Sequence, residues 1–553
     1  MHLSLMIMIL TLTGLPHFAE QADAVFTNGI VWTGDPAHPR AEAVAVKGGR
    51  ILALGATRDI ARLAGSSTRR VDLAGRLMIP GFIDNHTHFV SGGFQILGID
   101  LRAARTQEEF ARIIGARAAS TPGRWITGGD WDHDAWPGGA LPSKELVDPV
   151  TSSTPVFVQR YDGHMALANT VALKEAGITP KTPDPPGGTI VRDPSTGVPT
   201  GILKDAAMDL VYRILPDPSE REMLEAARAA LAEARRFGVT SVQDVSSPGD
   251  VALYRTLKQR GELTARMYCR LPIALIETLI RDGIRSGSGD PWIRTGALKA
   301  FADGSLGSST ALFCEPYLSD TTTRGLPSDI LMDGRLESWA LQADRAGLQL
   351  TIHAIGDSAN QRVLDLFETI VARNPQRDRR FRIEHAQHIR PADFARFARL
   401  GVIASVQPYH AIDDGRWAEG RIGRERCRTT YPFRSFLDHG VMTCFGSDWT
   451  VGPLNPLEGI YAAVTRRTTD GKNPGGWIPQ EKITVEEALR AYTVTNAYAA
   501  FEEGDKGSIA PGKFADMAVL SENILTIPPE SIARVMVDLT VVDGKVVYQR
   551  EAP

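Results

Sequence analysis

The chain has 553 residues, a mass of 60.1 kDa, 61 basic against 65 acidic residues and a formal net charge of −4. That length supports a large core plus at least one accessory domain, and 43% hydrophobic with 23% charged residues is ordinary for a soluble globular protein. The near-neutral balance gives no reason to expect nucleic acid or an anionic membrane as partner, and four scattered cysteines without C-x-x-C spacing argue against a thiolate metal site.

An apolar stretch, Leu3 to Leu15, opens the chain and is followed by small residues at Ala19, Ala22 and Ala24. It is shorter than the ~20 residues a membrane helix needs. Residues 1–24 read as a secretory signal with cleavage before Val25, which places the mature protein in the periplasm or outside the cell. No Lys or Arg precedes the run, so an uncleaved anchor and a mis-set start are the competing readings. Residues 25–79 are short apolar runs broken by Gly and Asp. Asn28-Gly29 signals a hairpin within Val25–Trp32, and Ala43–Leu54 reads as a second one. Residues 501–553 repeat the style, with strand-like Asp516–Leu520 and Val535–Val537 and an Asp543-Gly544 hairpin. Neither end makes a core alone, so both are expected to share one small β domain.

Residues 80–500 alternate strand and helix. Ser219 to Phe237 is helical, with Ser219 and Glu222 placed as a capping box and Gly238 as the stop. Thr484 to Ala500 is read as a last helix, capped by Thr484 and Glu487. Counting from the Gly81 strand to the one ending at Asp448 gives eight strands, the number that closes a (β/α)8 TIM-like barrel. A doubly wound open sheet is the alternative, but no Gly-rich phosphate turn follows the first strand. Leu101 to Leu215 breaks the alternation and holds Trp125, Trp131 and Trp136. It reads as an insertion at the catalytic face, covering the site and shaping the substrate pocket.

Polar residues close or interrupt the strand-like runs. His86 and His88 leave one strand on the same side, because side chains alternate. Lys299, His353, His385 and Asp448 occupy corresponding places in later strands. At one barrel rim they would make a pocket of histidines, a lysine and an aspartate suited to zinc or a similar divalent ion. Such an ion lowers the pKa of water to about 7 and polarises a carbonyl, and Asp448 is placed to move the proton. For Lys299 the residues leave two readings. One is an ion pair with Asp303. The other is a neutral amine that adds carbon dioxide to become an anionic ligand.

The motifs Gly81-Phe82-Ile83-Asp84-Asn85-His86-Thr87-His88, Phe301-Ala302-Asp303-Gly304-Ser305-Leu306-Gly307-Ser308, His353-Ala354-Ile355-Gly356-Asp357, Glu384-His385-Ala386-Gln387, Gly446-Ser447-Asp448-Trp449 and Gly507 to Asp516 occur in that order. In this the chain resembles the amidohydrolase superfamily, within it the amidohydrolase family 3 group that includes N-substituted formamide deformylases. The resemblance spans the chain from about Asp23 onward. It implies a metal-dependent hydrolase with a barrel and a composite β-sandwich. It further implies His86 and His88 on a first ion, Lys299 as a carbamate bridge, His353 and His385 on a second ion, and Asp448 as ligand and general base. Family members differ between one and two ions.

Around that set, His164 in Asp162-Gly163-His164 binds or orients substrate, or is a hydrogen-bonded loop histidine. His410 reaches the substrate or is a loop histidine without a role. Trp131 and Trp449 line the pocket or are core. Glu384 points away from His385 by alternation and supports the site. Asp357 is read as a helix N-cap. The resulting expectation is hydrolysis of a non-peptide carbon–nitrogen bond, a linear amide. The rivals are cyclic-amide opening or deamination on the same site and, more distantly, a non-catalytic binding or regulatory protein. No membrane span is expected in the mature form, and the residues carry no information on oligomeric state.

Overall fold

The computed structural model describes residues 21–551. Most of the expected leader, residues 1–24, lies outside them. Ala22 and Ala24 are already paired residues of the first strand, so cleavage before Val25 would trim that strand.

Both termini build one β-sandwich. One sheet orders Arg50–Gly55, Ala43–Lys47, Ala22–Thr27 and Ala64–Asp72. The other orders Lys545–Gln549, Val537–Val542, Met517–Leu520, Leu77–Pro80, Ile30–Trp32 and Arg40–Ala41. Met517 pairs with Pro80, so the C-terminal strands extend an N-terminal sheet. Inward residues from both ends, among them Phe26, Val44, Met78, Val519 and Val541, share a core. The Asp543-Gly544 hairpin forms, with both residues at positive φ (53° and 74°), as the tight turn of a twisted hairpin needs. Asn28-Gly29 does not make a hairpin. The strands on either side of it belong to different sheets, and the pair turns the corner between them. A Cβ on Gly29 would lie 2.3 Å from Leu73 Cδ1, so a larger residue there would have to displace that buried side chain.

The barrel strands are β1 (Phe82–Thr87), β2 (Val239–Val245), β3 (Arg266–Pro272), β4 (Ile293–Phe301), β5 (Gln349–Ala354), β6 (Arg382–His385), β7 (Ile403–Val406) and β8 (Thr443–Phe445). Each pairs in parallel with the next. β8 meets β1 just past its end, where Asp448 N–H donates to the His86 carbonyl (2.8 Å) and His88 N–H to that of Trp449 (2.7 Å). The helix Glu220–Arg236 carries the expected capping box. The expected helix Thr484–Ala500 is broken into Val485–Ala491 and Val494–Ala499 at Thr493 (φ −135°, ψ −81°). After the break, Asn496 donates to the carbonyls of Ile83 (2.5 Å) and Phe445 (2.7 Å), pinning the seam between β1 and β8.

The barrel interior is polar, not the layered Val, Ile and Leu packing common to this architecture. Arg270, Arg382, Gln243, Gln349 and Glu384 are all fully buried. Arg382 donates to Gln243 Oε1 (2.5 Å) and to the Ala499 carbonyl (2.6 Å), and Gln349 to the same carbonyl (2.9 Å). This network rises to Glu384, directly beneath the rim.

The insertion is a folded layer, not an irregular loop. Its six-stranded sheet orders Gly188–Arg192, Pro199–Asp205, Met165–Ala168, Val156–Arg160, Ile126–Trp131 and Ile99–Asp100. Helix Gln107–Ser120 packs on it through Phe110 and Ile114, around Trp131, Trp136, Val158 and Leu167. Among the described residues no helix is long and apolar enough to cross a membrane.

Candidate metal centre

All six strand-end residues line one cavity of about 270 Å³: His86, His88, Lys299, His353, His385 and Asp448. Alternation along β1 turns His86 and His88 to the same side, as their spacing requires. His86 and His88 Nε2 lie 3.4 and 3.3 Å from Asp448 Oδ1. His385 Nδ1 lies 4.0 Å from Asp448 Oδ2, and the His353 and His385 rings are 4.5 Å apart between centroids. His88 is 35% exposed while His86 is buried. Three non-glycine residues here, His385, Ala386 and Asp448, sit at positive φ (72°, 42° and 53°). Such strain is held only where the surroundings enforce it.

Each buried histidine has one nitrogen committed. His86 Nδ1 donates to Glu384 Oε2 (2.5 Å), His385 Nδ1 to Gln407 Oε1 (2.8 Å) and His353 Nε2 to the Gly304 carbonyl (3.1 Å). In those tautomers the other nitrogen of each ring keeps its lone pair, the form that ligates a metal. Burial pushes the pKa of His86 and His353 well down and that of His385 to about 3, so all three are neutral. Glu384 is itself held by Arg270 Nη1 (2.8 Å) and Ser405 Oγ (2.7 Å). Alternation does not hold here: Glu384 does not point away from His385, since Glu384 bonds His86 and the His385 ring lies 5.0 Å from that same ring, the strand being turned at His385 (φ 72°).

Burial would raise the pKa of Asp448, but the imidazoles of His86, His88 and His385 packed around it hold it well below the ordinary carboxylate range. Its Oδ1 is buried without a hydrogen-bond donor. An anionic, donor-free oxygen between two imidazoles is the donor set a divalent ion fits. The ligand atoms of His86, His88 and Asp448 lie within 4.8 Å of one another, as do those of His385, His410 and Asp448.

Lys299 lies with Nζ 3.4 Å from His86 Nε2 and 4.7 Å from the Phe301 ring centroid. Burial, reinforced by the nearby Arg270 cation, lowers its pKa to about 8. The ion pair with Asp303 is not formed. Asp303 instead accepts the backbone N–H groups of Leu312, Ile355 and Gly356 (2.8, 3.0 and 2.8 Å).

Of the outer residues, His164 and His410 line the cavity. His164 Nδ1 donates to Asp205 Oδ1 (2.6 Å). Burial would lower the His164 pKa, yet that bond and the charges of Asp205 and Asp162 raise it to about 9. Trp131 and Trp449 do not line the cavity. Trp131 is core of the insertion, its indole N–H donating to the Val158 carbonyl (2.9 Å). Trp449 packs on Phe89 and donates to Gln95 Oε1 (3.0 Å). Asp357 is the first residue of its helix, not the N-cap, which is Gly356; it accepts from Cys314 N–H (2.7 Å). Sequence reasoning missed Arg160, Asp413, Asp414 and Trp417 on the cavity wall. Arg160 had a signal, a charged residue closing the apolar run Val156-Phe157-Val158. The other three sit on short helical turns after β7 that no periodicity marks.

Residues 69–548 match the model of the amidohydrolase family. The chain is 41% identical over 518 residues to protein LONG AFTER FAR-RED 3 of Arabidopsis thaliana, covering 91% of this chain and 88% of the relative. It is 29% identical over 549 residues to an N-substituted formamide deformylase of Arthrobacter pascens, covering 96% and 99%. An uncharacterized metal-dependent hydrolase from Pyrococcus horikoshii superposes with a TM-score of 0.74 at 26% identity, over 92% of this chain and 99% of that one. With a nearly closed eight-stranded barrel, a composite sandwich and a His/Asp centre at the rim, the chain belongs to the amidohydrolase family and is a metal-dependent hydrolase.

Proposed function

We propose that this protein hydrolyses a non-peptide carbon–nitrogen bond, a linear amide, with Asp448 as general base and His86, His88, Lys299, His353 and His385 as the other metal ligands. The observation that carries the reading is Asp448 Oδ1, anionic, without a donor, and 3.3–3.4 Å from two imidazole nitrogens at the cavity floor. Zinc, one ion or two, when bound supplies Lewis acidity, lowering the pKa of water toward about 7 and polarising a carbonyl.

The chain's own residues do the rest. Asp448 takes a proton from the attacking water and delivers it to the leaving nitrogen. Glu384 and Gln407 fix the His86 and His385 rings so that no reorientation accompanies the reaction. Lys299 is buried and free of a carboxylate ion pair among the described residues, and its pKa, lowered to about 8, raises the fraction of neutral amine near neutral pH, which supports an amine that adds carbon dioxide and loses a proton to become a carbamate. Intact-mass measurement reads that step as a gain of one carbon dioxide, absent in Lys299→Met. The name of the Arthrobacter relative, a formamide deformylase, favours a linear amide over a ring. Export of the chain remains part of the proposal, tested by N-terminal sequencing of protein from a cell fractionation.

The deciding experiment is Asp448→Asn. It is expected to lower turnover by about 10²–10⁴-fold, the range for loss of a general base. Metal content should stay largely in place. Turnover that survives the change would remove Asp448 from the proton transfer.

A further inference from the structure

Away from the ion site the cavity wall is made by the insertion and by the segments after β7 and β8. The segment after β8 is the turn Asp448-Trp449-Thr450-Val451, closed where Val451 N–H donates to the Asp448 carbonyl (2.6 Å). Asp448 opens it at φ 53°, a conformation that a non-glycine residue keeps only when its surroundings hold it there. The barrel supplies two holds, the bonds from Asp448 N–H to the His86 carbonyl and from His88 N–H to the Trp449 carbonyl.

Two more holds come from outside the barrel strands. The Thr450 carbonyl accepts from Gln95 Nε2 (3.2 Å), and Gln95 Oε1 accepts from the Trp449 indole (3.0 Å). Gln95 lies on helix Phe89–Leu97, and Asp130 of the insertion orients its amide by accepting from the same nitrogen (2.7 Å). The Val451 carbonyl accepts from Arg102 Nη1 (2.6 Å). Arg102 belongs to the insertion, two residues past the strand Ile99–Asp100, and its guanidinium lies over the Tyr161 ring, 4.5 Å from the centroid.

The other arm of that guanidinium, Nη2, donates to Asp413 Oδ2 (3.1 Å) on helix Pro408–Asp414, which also carries His410. One side chain of the insertion thus ties the turn that bears Asp448 to the helix that bears His410. Asp413 does not need Arg102 for neutralisation, because Arg416 lies 2.8 Å from its Oδ1. What Arg102 adds is a rigid planar fork that meets two acceptors at once, which a lysine ammonium cannot reproduce.

We propose that Arg102 is a positioning residue: by holding the Val451 carbonyl it keeps the Asp448 turn closed and the Asp448 carboxylate between His86 and His88. The insertion then governs turnover through a main-chain contact. This rests on the role of Asp448 proposed above.

The test is Arg102→Ala in the metal-loaded protein, assayed on a linear amide with and without millimolar guanidinium chloride. Arg102 lines a second cavity of about 910 Å³ behind the turn, so the small cation can reach the place of the lost side chain. We expect kcat to fall about 10- to 100-fold with KM within about threefold of the parent and metal content unchanged. Guanidinium, but not sodium at equal ionic strength, should recover about tenfold. An unchanged kcat, a loss that guanidinium does not reverse, or a loss of metal overturns the proposal. Arg102→Lys keeps the charge and stem and should stay as slow as Arg102→Ala; full turnover overturns the role of the fork. Arg416→Met takes the other cation from Asp413 without touching the turn. A kcat loss equal to that of Arg102→Ala would assign the effect to Asp413 and overturn the proposal as well. If the parent hydrolyses no amide, the amide reading fails, and hydrogen exchange at the Val451 amide judges the clamp alone. Faster exchange in Arg102→Ala that guanidinium reverses upholds it; exchange at the parent rate overturns it.

Discussion

The barrel rim and the insertion wall are both dense in charge but are arranged oppositely. At the rim, partners are missing: Asp448 Oδ1 has no donor, and Lys299 makes no ion pair with a carboxylate among the described residues. On the wall, two charged side chains each meet two of opposite sign: Arg160 lies between Asp134 and Asp162, and Asp413 between Arg102 and Arg416. Asp132, His133 and Asp134 show the difference at the level of one cluster. Their ligand atoms are as close as those at the rim, yet Arg160, Arg416 and Arg421 neutralise them. Proximity of ligand-type residues therefore does not mark an ion site. A shortage of counter-charge does.

The comparison is strained hardest at Glu384, which joins the rim to the barrel interior. Glu384→Ala removes the partner of His86 and leaves the buried Arg270 guanidinium uncompensated. We expect a loss of about 3–5 kcal/mol in denaturant melts, with a fall in metal content. An unchanged melt would show that the rim does not rest on this pair. His164 comes next. Its folded-state pKa, about 9, lies above the unfolded value of 6.5, so the stabilisation is complete below pH 6.5 and is lost as pH rises through about 9. The stability gap between the parent and His164→Gln should reach at most about 3 kcal/mol at pH 6 and close by pH 10. A gap that widened with pH would reverse the assignment. Asp134→Asn should cost about 1–3 kcal/mol, because Asp162 still holds Arg160, and should leave metal content intact. A fall in metal content like that of Glu384→Ala would erase the distinction between rim and wall.

How far sequence reasoning reached follows the same division. The rim was legible because alternation along a strand and the parallel order of strands fix where His86, His88, Lys299, His353, His385 and Asp448 end up. The composite sandwich was legible from hairpin chemistry at Asp543-Gly544, whereas Asn28-Gly29 carried the same signal and turned a corner between sheets. Local turn preference is blind to which sheet the next strand joins. The Thr484–Ala500 helix was misread because its break at Thr493 serves Asn496, which must reach two carbonyls at the barrel seam. The wall residues Arg160, Asp413, Asp414 and Trp417 were invisible as a set, since they meet only through the path of the insertion. The polar barrel interior was equally hidden: Arg270, Arg382 and Glu384 alternate with apolar residues as they would on a solvated face.

Two tryptophans offer the finest test, because they differ in what their indole N–H meets. Trp131 packs with Phe110 and Trp136 and donates to the Val158 carbonyl, away from the cavity. Trp131→Phe keeps most of the ring contact and loses one hydrogen bond, so it should cost about 1 kcal/mol in stability and leave KM where it was. Trp417 lines the cavity with an N–H that has no protein partner. Trp417→Phe forfeits no internal bond, so stability should hold while KM rises about 2- to 10-fold, the worth of one hydrogen bond to a ligand. The opposite pattern, KM shifting with Trp131 and stability with Trp417, would mean that the insertion's core and the substrate's wall have been exchanged.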